Sequence, residues 1–320
     1  MVDNRVLLVA LAIGVGGVVI SLVVTLMRDW RRRFLLFANR SDLRVSDEII
    51  TTAVIRRLRR TDVGSAIGCL IGLLVSAALI EIAHPVDTQF FLWVAILPVL
   101  LLCQTAGALA SSLTDELFVP MAHSPRIARS STVSVRDYMS PARFWLVPVL
   151  LFAALMLLLA GFVLSGLGLI DSSRFLQGWA IWAVPTAALF GVGGAIAAHV
   201  VIQRDQPASD SLELAWSDAL RADVLRNLWV FEGIVVWLAL LLTGISILRA
   251  LHSPIELSWA SLVLSLAGNF GIIVLGLVFN YGVGQSYFRY RLWPDLGDVG
   301  EIVEDSDEDV DDADVEVHRP

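Results

Sequence analysis

Few residues in this sequence pair a reactive side chain with surroundings that would make it react. Glu232 comes first. It stands in Trp229-Val-Phe-Glu232-Gly, about one turn into an apolar run that continues to residue 250. An ionisable group at membrane depth is costly, so this carboxylate is expected to face a cavity, a partner such as Arg226, or the headgroup layer. Gln104 and Thr105, and then Asn269 and Asn280, are neutral polar residues deep inside other apolar runs. Such side chains either bond between helices or line a path for a polar solute. Gln104, Glu232, Asn269 and Asn280 are therefore the candidate intramembrane pathway residues. His199, Glu81 and His84 lie at the ends of apolar runs, where solvation accounts for them. Cys69 and Cys103 sit inside runs at similar depth and read as small apolar residues, with no flanking His to activate them.

Several chemistries are excluded or unsupported. All 23 basic residues are Arg, so neither a phosphate-binding loop with its Lys nor a Schiff-base amine can be present. No His-Glu-x-x-His, no Gly-x-Ser-x-Gly elbow and no ligand spacing for a metal occurs. The expectation is a protein without enzymatic activity, with no catalytic residue, cofactor or metal assigned. No chain of acids crosses the apolar runs in the manner a proton pump needs.

The elements that must position these residues are membrane helices. The chain is 57% hydrophobic and 17% charged, with a mean hydropathy of +0.74; soluble domains carry roughly 25% charged residues. Seven apolar runs stand at about 6–27, 63–83, 90–111, 143–168, 179–202, 228–250 and 259–282. Each is long enough for a bilayer core about 30 Å thick, which takes ~20 residues of helix. The expected fold is an all-α membrane protein of seven transmembrane helices. Ten Arg follow the first run between Arg28 and Arg60, and further Arg cluster at 126–143 and 204–226. Opposite them stand only Arg5, Arg174 and Arg249. Arg-rich connections face the cytoplasm, so the N-terminus is expected outside and the C-terminus inside. The first run carries its positive charge after it and no cleavage site follows, so it reads as a retained anchor. Trp93, Trp179 and Trp259 near the outer ends, with Trp30, Trp145 and Trp229 near the inner ends, fit an interfacial aromatic belt.

Short outer connections make three hairpins, each entered from a cytoplasmic Arg: Arg60, Arg143 and Arg226, spaced 83 apart. Spans three and five share Pro98-Val-Leu-Leu-Leu102 with Gly107-Ala-Leu-Ala110 and Pro185-Thr-Ala-Ala-Leu189 with Gly194-Ala-Ile-Ala197. One anchor followed by three similar hairpins is the expected organisation, and compositional likeness among membrane helices is the alternative. Pro98, Pro148 and Pro185 are expected to kink their spans. Gly64, Gly68, Gly72 and Ser76 recur every four residues on one helix face and specify a close helix–helix contact, within the fold or between copies. Ala187, Gly191 and Ala195 form a weaker stripe.

Residues 1–294 are read as the membrane domain, with cytoplasmic loops at 28–62, 112–142 and 203–227. Within them, 47–60 and 211–226 are amphipathic; Leu212, Trp216, Leu220 and Leu225 share one side of the second. Both are expected as interfacial helices leading into a span, able to receive a cytoplasmic partner. Residues 295–320 hold 12 of the 31 acids and one Arg, a composition expected to stay disordered. Without this tail, 22 basic and 19 acidic residues leave the body at +3.

Val135-Arg-Asp-Tyr-Met-Ser-Pro141 and Ala215-Trp-Ser-Asp-Ala-Leu-Arg221 resemble stretches in a group of actinobacterial multi-pass membrane proteins. The resemblance implies a bacterial plasma-membrane location and no reaction. The expected function is that of a transport-associated, permease-like membrane component, and the alternative is a non-transporting scaffold, sensor or regulatory partner. The expected partners are the lipid bilayer, with a cytoplasmic protein or a second copy of the chain, and no nucleic acid.

Overall fold

A computed structural model describes residues 29–43, 48–83, 97–118, 133–204, 211–251, 257–280 and 286–294, with single positions at 15, 16, 19, 23 and 27. The elements are α1 (Trp30–Ser41), α2 (Glu48–Ala83), α3 (Leu97–Phe118), α4 (Val135–Tyr138) and α5 (Pro141–Gly166), then α6 (Ser172–Leu176), α7 (Ala180–Gln203), α8 (Ser211–Ala250), α9 (Leu257–Asn280) and α10 (Tyr287–Leu292). No strand occurs among the described residues beyond one antiparallel bridge, Ile170 to Leu251. Among the described residues, four helical stretches are long and apolar enough to cross a membrane: Ile50–Leu79, Pro141–Gly166, Ser172–Gln203 and Ser211–Ala250. Pro98–Thr114 and Leu266–Phe279 are shorter apolar helices, and most of the first expected span lies outside the described residues. Phe152, Leu159, Trp182, Leu189 and Phe270 are each more than half exposed. Apolar surface on this scale makes lipid the solvent for these faces and the chain a membrane protein.

α8 is the hub. Its 40 residues run about 60 Å at 1.5 Å per residue, twice the bilayer core. Of its most apolar window 61% is buried, against 17–28% in the other three candidate spans. It packs against α3, α5, α7 and α9. On α9 the contact is a notch: a Cβ at Gly268 or Gly271 would collide with Leu241 or the Trp237 ring. Trp237 Nε1 donates to the Gly268 carbonyl at 2.8 Å.

α2 and α3 form the closest pair. A Cβ on Gly64 would lie 2.6 Å from the Gly107 carbonyl and from Ser111 Cβ, and one on Gly68 would strike the Cys103 carbonyl. Gly72 meets Leu100 and Cys103, and Ser76 is fully buried further along. Residues four apart stack along one face, so the missing side chains let two backbones touch. The expected hairpin of spans four and five packs differently, since α5 and α7 each lean more on α8 than on one another. The α7 stripe also follows another phase. Its buried positions are Ala180, Val184, Ala187, Gly194, Ala198 and Val201, while Ala195 is exposed. Steps of four overshoot a 3.6-residue turn by 40° each, so Ala195 rotates away from the face that Ala187 occupies.

The expected cytoplasmic loops at 28–62, 112–142 and 203–227 are largely structured where they are described. Of the amphipathic stretches 47–60 and 211–226, residues 48–60 and 211–226 are unbroken N-terminal parts of α2 and α8, and no Pro interrupts either helix. With α1, α4 and α10 they pack at one end of the bundle into a module whose core includes Phe34, Ala38, Val54, Leu58, Trp216 and Phe288. Phe34 stacks on Trp216 at 5.3 Å. The apolar faces of both stretches are therefore covered by protein: α1 packs on α2, and its Phe34 covers Trp216 of α8. Trp229, one of the expected belt residues, is buried and tilted against Phe144 at 5.9 Å. At the opposite end Asp171 N–H donates to the Ala250 carbonyl at 2.8 Å, and Phe175 fills the space over Gly161. The tail at 295–320 and the expected belt residues Trp93 and Trp259 lie outside what is described or described only as backbone.

Candidate functional site

Burial of charge marks the module as the chemically distinctive part of the molecule. Asp218, on the extension of α8, is completely buried. It accepts hydrogen bonds from the Tyr138 hydroxyl of α4 at 2.8 Å and from Trp293 Nε1 just past α10 at 2.9 Å. A buried carboxylate is tolerated only when donors replace its lost water, and here two donors come from segments remote in sequence. Arg221, one turn on, is 4% exposed and donates to the carbonyls of Ile202, at 3.3 Å, and Arg204. It thereby caps the C-terminal end of α7, where unpaired carbonyls favour a cation. Arg289 is 2% exposed. Its Nε donates at 3.1 Å to the carbonyl of Asp42, the left-handed residue (φ 53°) that ends α1, and it also donates to the Trp293 carbonyl. The C-terminal helix is thus clasped to the first helix of the module.

Two ionisations respond to this packing. Burial pushes the Tyr138 phenol well above its ordinary 10, and the neighbouring Asp218 charge adds to it. For Asp137, burial acts upward, but donors from Ser134 and the Arg291 charge outweigh it and hold the carboxyl below its ordinary 3.8. The Ser134 N–H and hydroxyl reach Asp137 Oδ2 at 2.8 and 2.9 Å, which closes the start of α4.

Beside this network lies a cleft of 230 Å³, reached where the module meets the bundle. Arg33, Arg40, Arg143 and Arg226 line it together with Asp62 and Asp223. Arg33 pairs with Asp62 at 3.0 Å, and Arg226 pairs with Asp223 one turn back on α8. Arg226 Nε is buried without an acceptor among the described residues.

The candidate pathway residues are placed elsewhere. Glu232 is 5% exposed, with its carboxyl seated directly on Gly194 of α7, so that a Cβ there would occupy the same space. Its Oε1 has no donor among the described residues. Gln104 is half-buried on α3, and its neighbour Thr105 donates to the Leu101 carbonyl of its own helix at 2.9 Å. Neither Gln104 nor Glu232 lines the cleft. Asn269 and Asn280 lie on α9, their side chains outside the described residues. Of the terminal histidines and acids, His199 is exposed, while His84 and the Glu81 side chain are not described. Cys69 and Cys103 are free thiols near the glycine seam. Among the described residues no group of three or more His, Cys, Asp or Glu could hold a metal ion.

Tyr138, Asp218, Trp293 and Arg289 were not among the expected functional residues. One signal was available: Leu214, Asp218, Arg221 and Leu225 follow the i, i+4, i+7, i+11 pattern of a buried stripe, so two charges sit where apolar residues belong. The structure also joins the two stretches that carry the resemblance, since Tyr138 belongs to one and Asp218 to the other. Compared with known proteins, the chain matches no family model, no curated relative and no solved structure.

Proposed function

We propose that this chain is a seven-span protein of a bacterial plasma membrane, N-terminus outside and C-terminus in the cytoplasm. In this reading it works as a non-transporting scaffold or sensor through its membrane-proximal module. The orientation is supported by the meeting of the Arg-rich segments 30–41, 48–60, 135–138 and 211–226 at one end of the bundle, which the positive-inside rule turns to the cytoplasm. One observation carries the scaffold reading. The polar residues that converge do so in the module, around Asp218, whereas Glu232 is seated in a helix–helix contact. α2 and α8 run unbroken from the module into the bundle, so a partner held on the module would act directly on the membrane helices.

Purification from native membranes followed by mass spectrometry of bound proteins tests this. A cytoplasmic regulatory protein without an ATPase is the expected result, and a stoichiometric ATPase would overturn it. The second reading, a permease-like component, is favoured by Glu232, a buried intramembrane carboxylate with an unpartnered oxygen. On that reading Glu232→Gln abolishes flux in vesicles reconstituted with the ATPase.

A further inference from the structure

We infer that the first part of the acidic C-terminal tail, residues 295–304, docks on the exposed face of α1. Arg31, Arg32, Leu35, Leu36, Asn39 and Arg40 make that face; their i, i+1, i+4, i+5, i+8, i+9 spacing puts them on one side of the helix. Leu35 is 48% and Leu36 49% exposed, with exposed guanidiniums on either side of them. Arg31, Arg32 and Arg40 enter no ion pair among the described residues, unlike Arg33 of the same helix, which Asp62 holds.

Chain geometry brings the tail to this face. Arg289 donates at 3.1 Å to the carbonyl of Asp42, just past the end of α1, and also to the carbonyl of Trp293. Trp293 is itself tied to Asp218 at 2.9 Å. Asp295, the first acid of the tail, therefore starts two residues from a point fixed beside the end of α1, where Arg40 stands. From Arg40 to Arg31 the face runs about 14 Å at 1.5 Å per residue, whereas ten extended residues span up to about 33 Å. So short a tether gives the tail an effective concentration in the millimolar range.

The composition of the segment matches the face. Asp295, Asp298, Glu301 and Glu304 recur every third residue, and Leu296, Val299 and Ile302 directly follow the first three. The segment thus offers carboxylates to the arginines and apolar side chains to Leu35 and Leu36. A stretch too acidic to fold alone can still be ordered on a surface of opposite charge. An anionic lipid surface is the competing occupant, and the level of α1 disfavours it. Phe34 stacks on Trp216, eleven residues before α8 turns apolar after Asn227. That is about 16 Å along the helix, and about 12 Å of depth even at a 40° tilt, whereas the headgroup layer is about 5–7 Å deep. The inference goes beyond the scaffold reading and holds equally for a permease-like component.

The test uses the full-length chain in nanodiscs of phosphatidylcholine, with Cys69→Ala and Cys103→Ala removing the native thiols. Spin labels are placed by Ala53→Cys, at an exposed position of α2 outside the face, and by Val303→Cys in the tail. Pulsed electron resonance reads the distance between them. The expected result at low salt is one narrow distance distribution. An undocked tail gives a broad one, because ten residues of coil wander about 17 Å from their anchor. The narrow component should be lost when Arg31→Gln, Arg32→Gln and Arg40→Gln are combined, and equally when Asp295→Asn, Asp298→Asn, Glu301→Gln and Glu304→Gln are combined. All the substituted arginines are exposed, so the fold is kept, and the tail variant leaves α1 untouched. Salt near 1 M, where the Debye length is about 3 Å, should broaden the distribution in the same way. Arg174→Gln, at the opposite end, should leave it unchanged. A broad distribution at low salt overturns the inference, and so does a narrow one that survives either set of substitutions. A label at Asn39→Cys shielded from a water-soluble relaxation agent, whether or not the tail acids are neutralised, assigns the face to lipid and overturns it too.

Discussion

Removing the hydroxyl of Tyr138 is the most informative single perturbation of the module. In Tyr138→Phe the ring still fills its site, but Asp218 keeps only Trp293 among the two donors described above. A hydrogen bond to a charged group contributes about 1.5–3 kcal/mol, and Asp218 is fully buried, so water does not replace it. The variant should lose that amount. Asp218→Ala should lose more, about 3–5 kcal/mol, because it leaves buried donors and nearby cationic groups without their counterpart. The double variant should lose less than the sum, since the two residues share one bond. Unfolding by sodium dodecyl sulfate in mixed micelles, followed by far-ultraviolet circular dichroism, measures all three. There is a pH arm as well. The folded state raises the Tyr138 pKa above the 10 of the unfolded chain. It therefore binds this proton more tightly than the unfolded state, and the associated stability is complete below pH 10 and lost as pH rises through the folded value. Wild type should weaken above pH 10 more steeply than Tyr138→Phe. Additive losses in the cycle, or identical alkaline limbs in the two proteins, would refute the reasoning.

Three further outcomes are expected. Gly68→Leu should separate α2 from α3 and cost at least about 2 kcal/mol, since its Cβ would meet the Cys103 carbonyl, whereas Gly193→Ala, with open space around it, should change little; detergent-unfolding midpoints distinguish them. Glu232→Gln keeps the shape and replaces a buried ionisable carboxyl whose Oε1 has no donor among the described residues, so the purified protein should be as stable or more so, and a lowered melting temperature would contradict the placement of that carboxyl. Asp137→Asn should cost about 1 kcal/mol at pH 7. Because the folded state lowers the Asp137 pKa, its contribution is present above the unfolded 3.8 and disappears as pH falls through the folded value, so an acid titration should bring the two proteins together.

How far the sequence could be read depended on how local each interaction is. The face of Gly64, Gly68 and Gly72 is a property of one helix and was visible as a four-residue repeat; that Gly107, Cys103 and Ser111 lie against it required the second helix. The stripe on α7 went out of phase at Ala195, because repeats of four and of three-and-four look alike over two turns. The amphipathic stretches at 47–60 and 211–226 were legible as helices, but an apolar face reads the same whether lipid or another helix covers it. Glu232 was legible as a buried carboxylate, and its seat on Gly194 was not, since nothing in α8 specifies the rotation of α7.

Composition and run length alone determined that the chain is helical and has lipid for a solvent, because backbone polar groups in hydrocarbon must bond within their own segment. Arg placement alone sorted the connections into two sides, and the segments rich in Arg do meet at one end of the bundle. Tertiary structure alone decided that Asp218 is buried and held by Tyr138 and Trp293, 80 and 75 residues away in the chain. It also decided that Arg33, Arg143 and Arg226 enclose a common cleft. A buried charge is stable only if its partners arrive with it, and their arrival is settled by the packing of whole helices, which no single segment encodes.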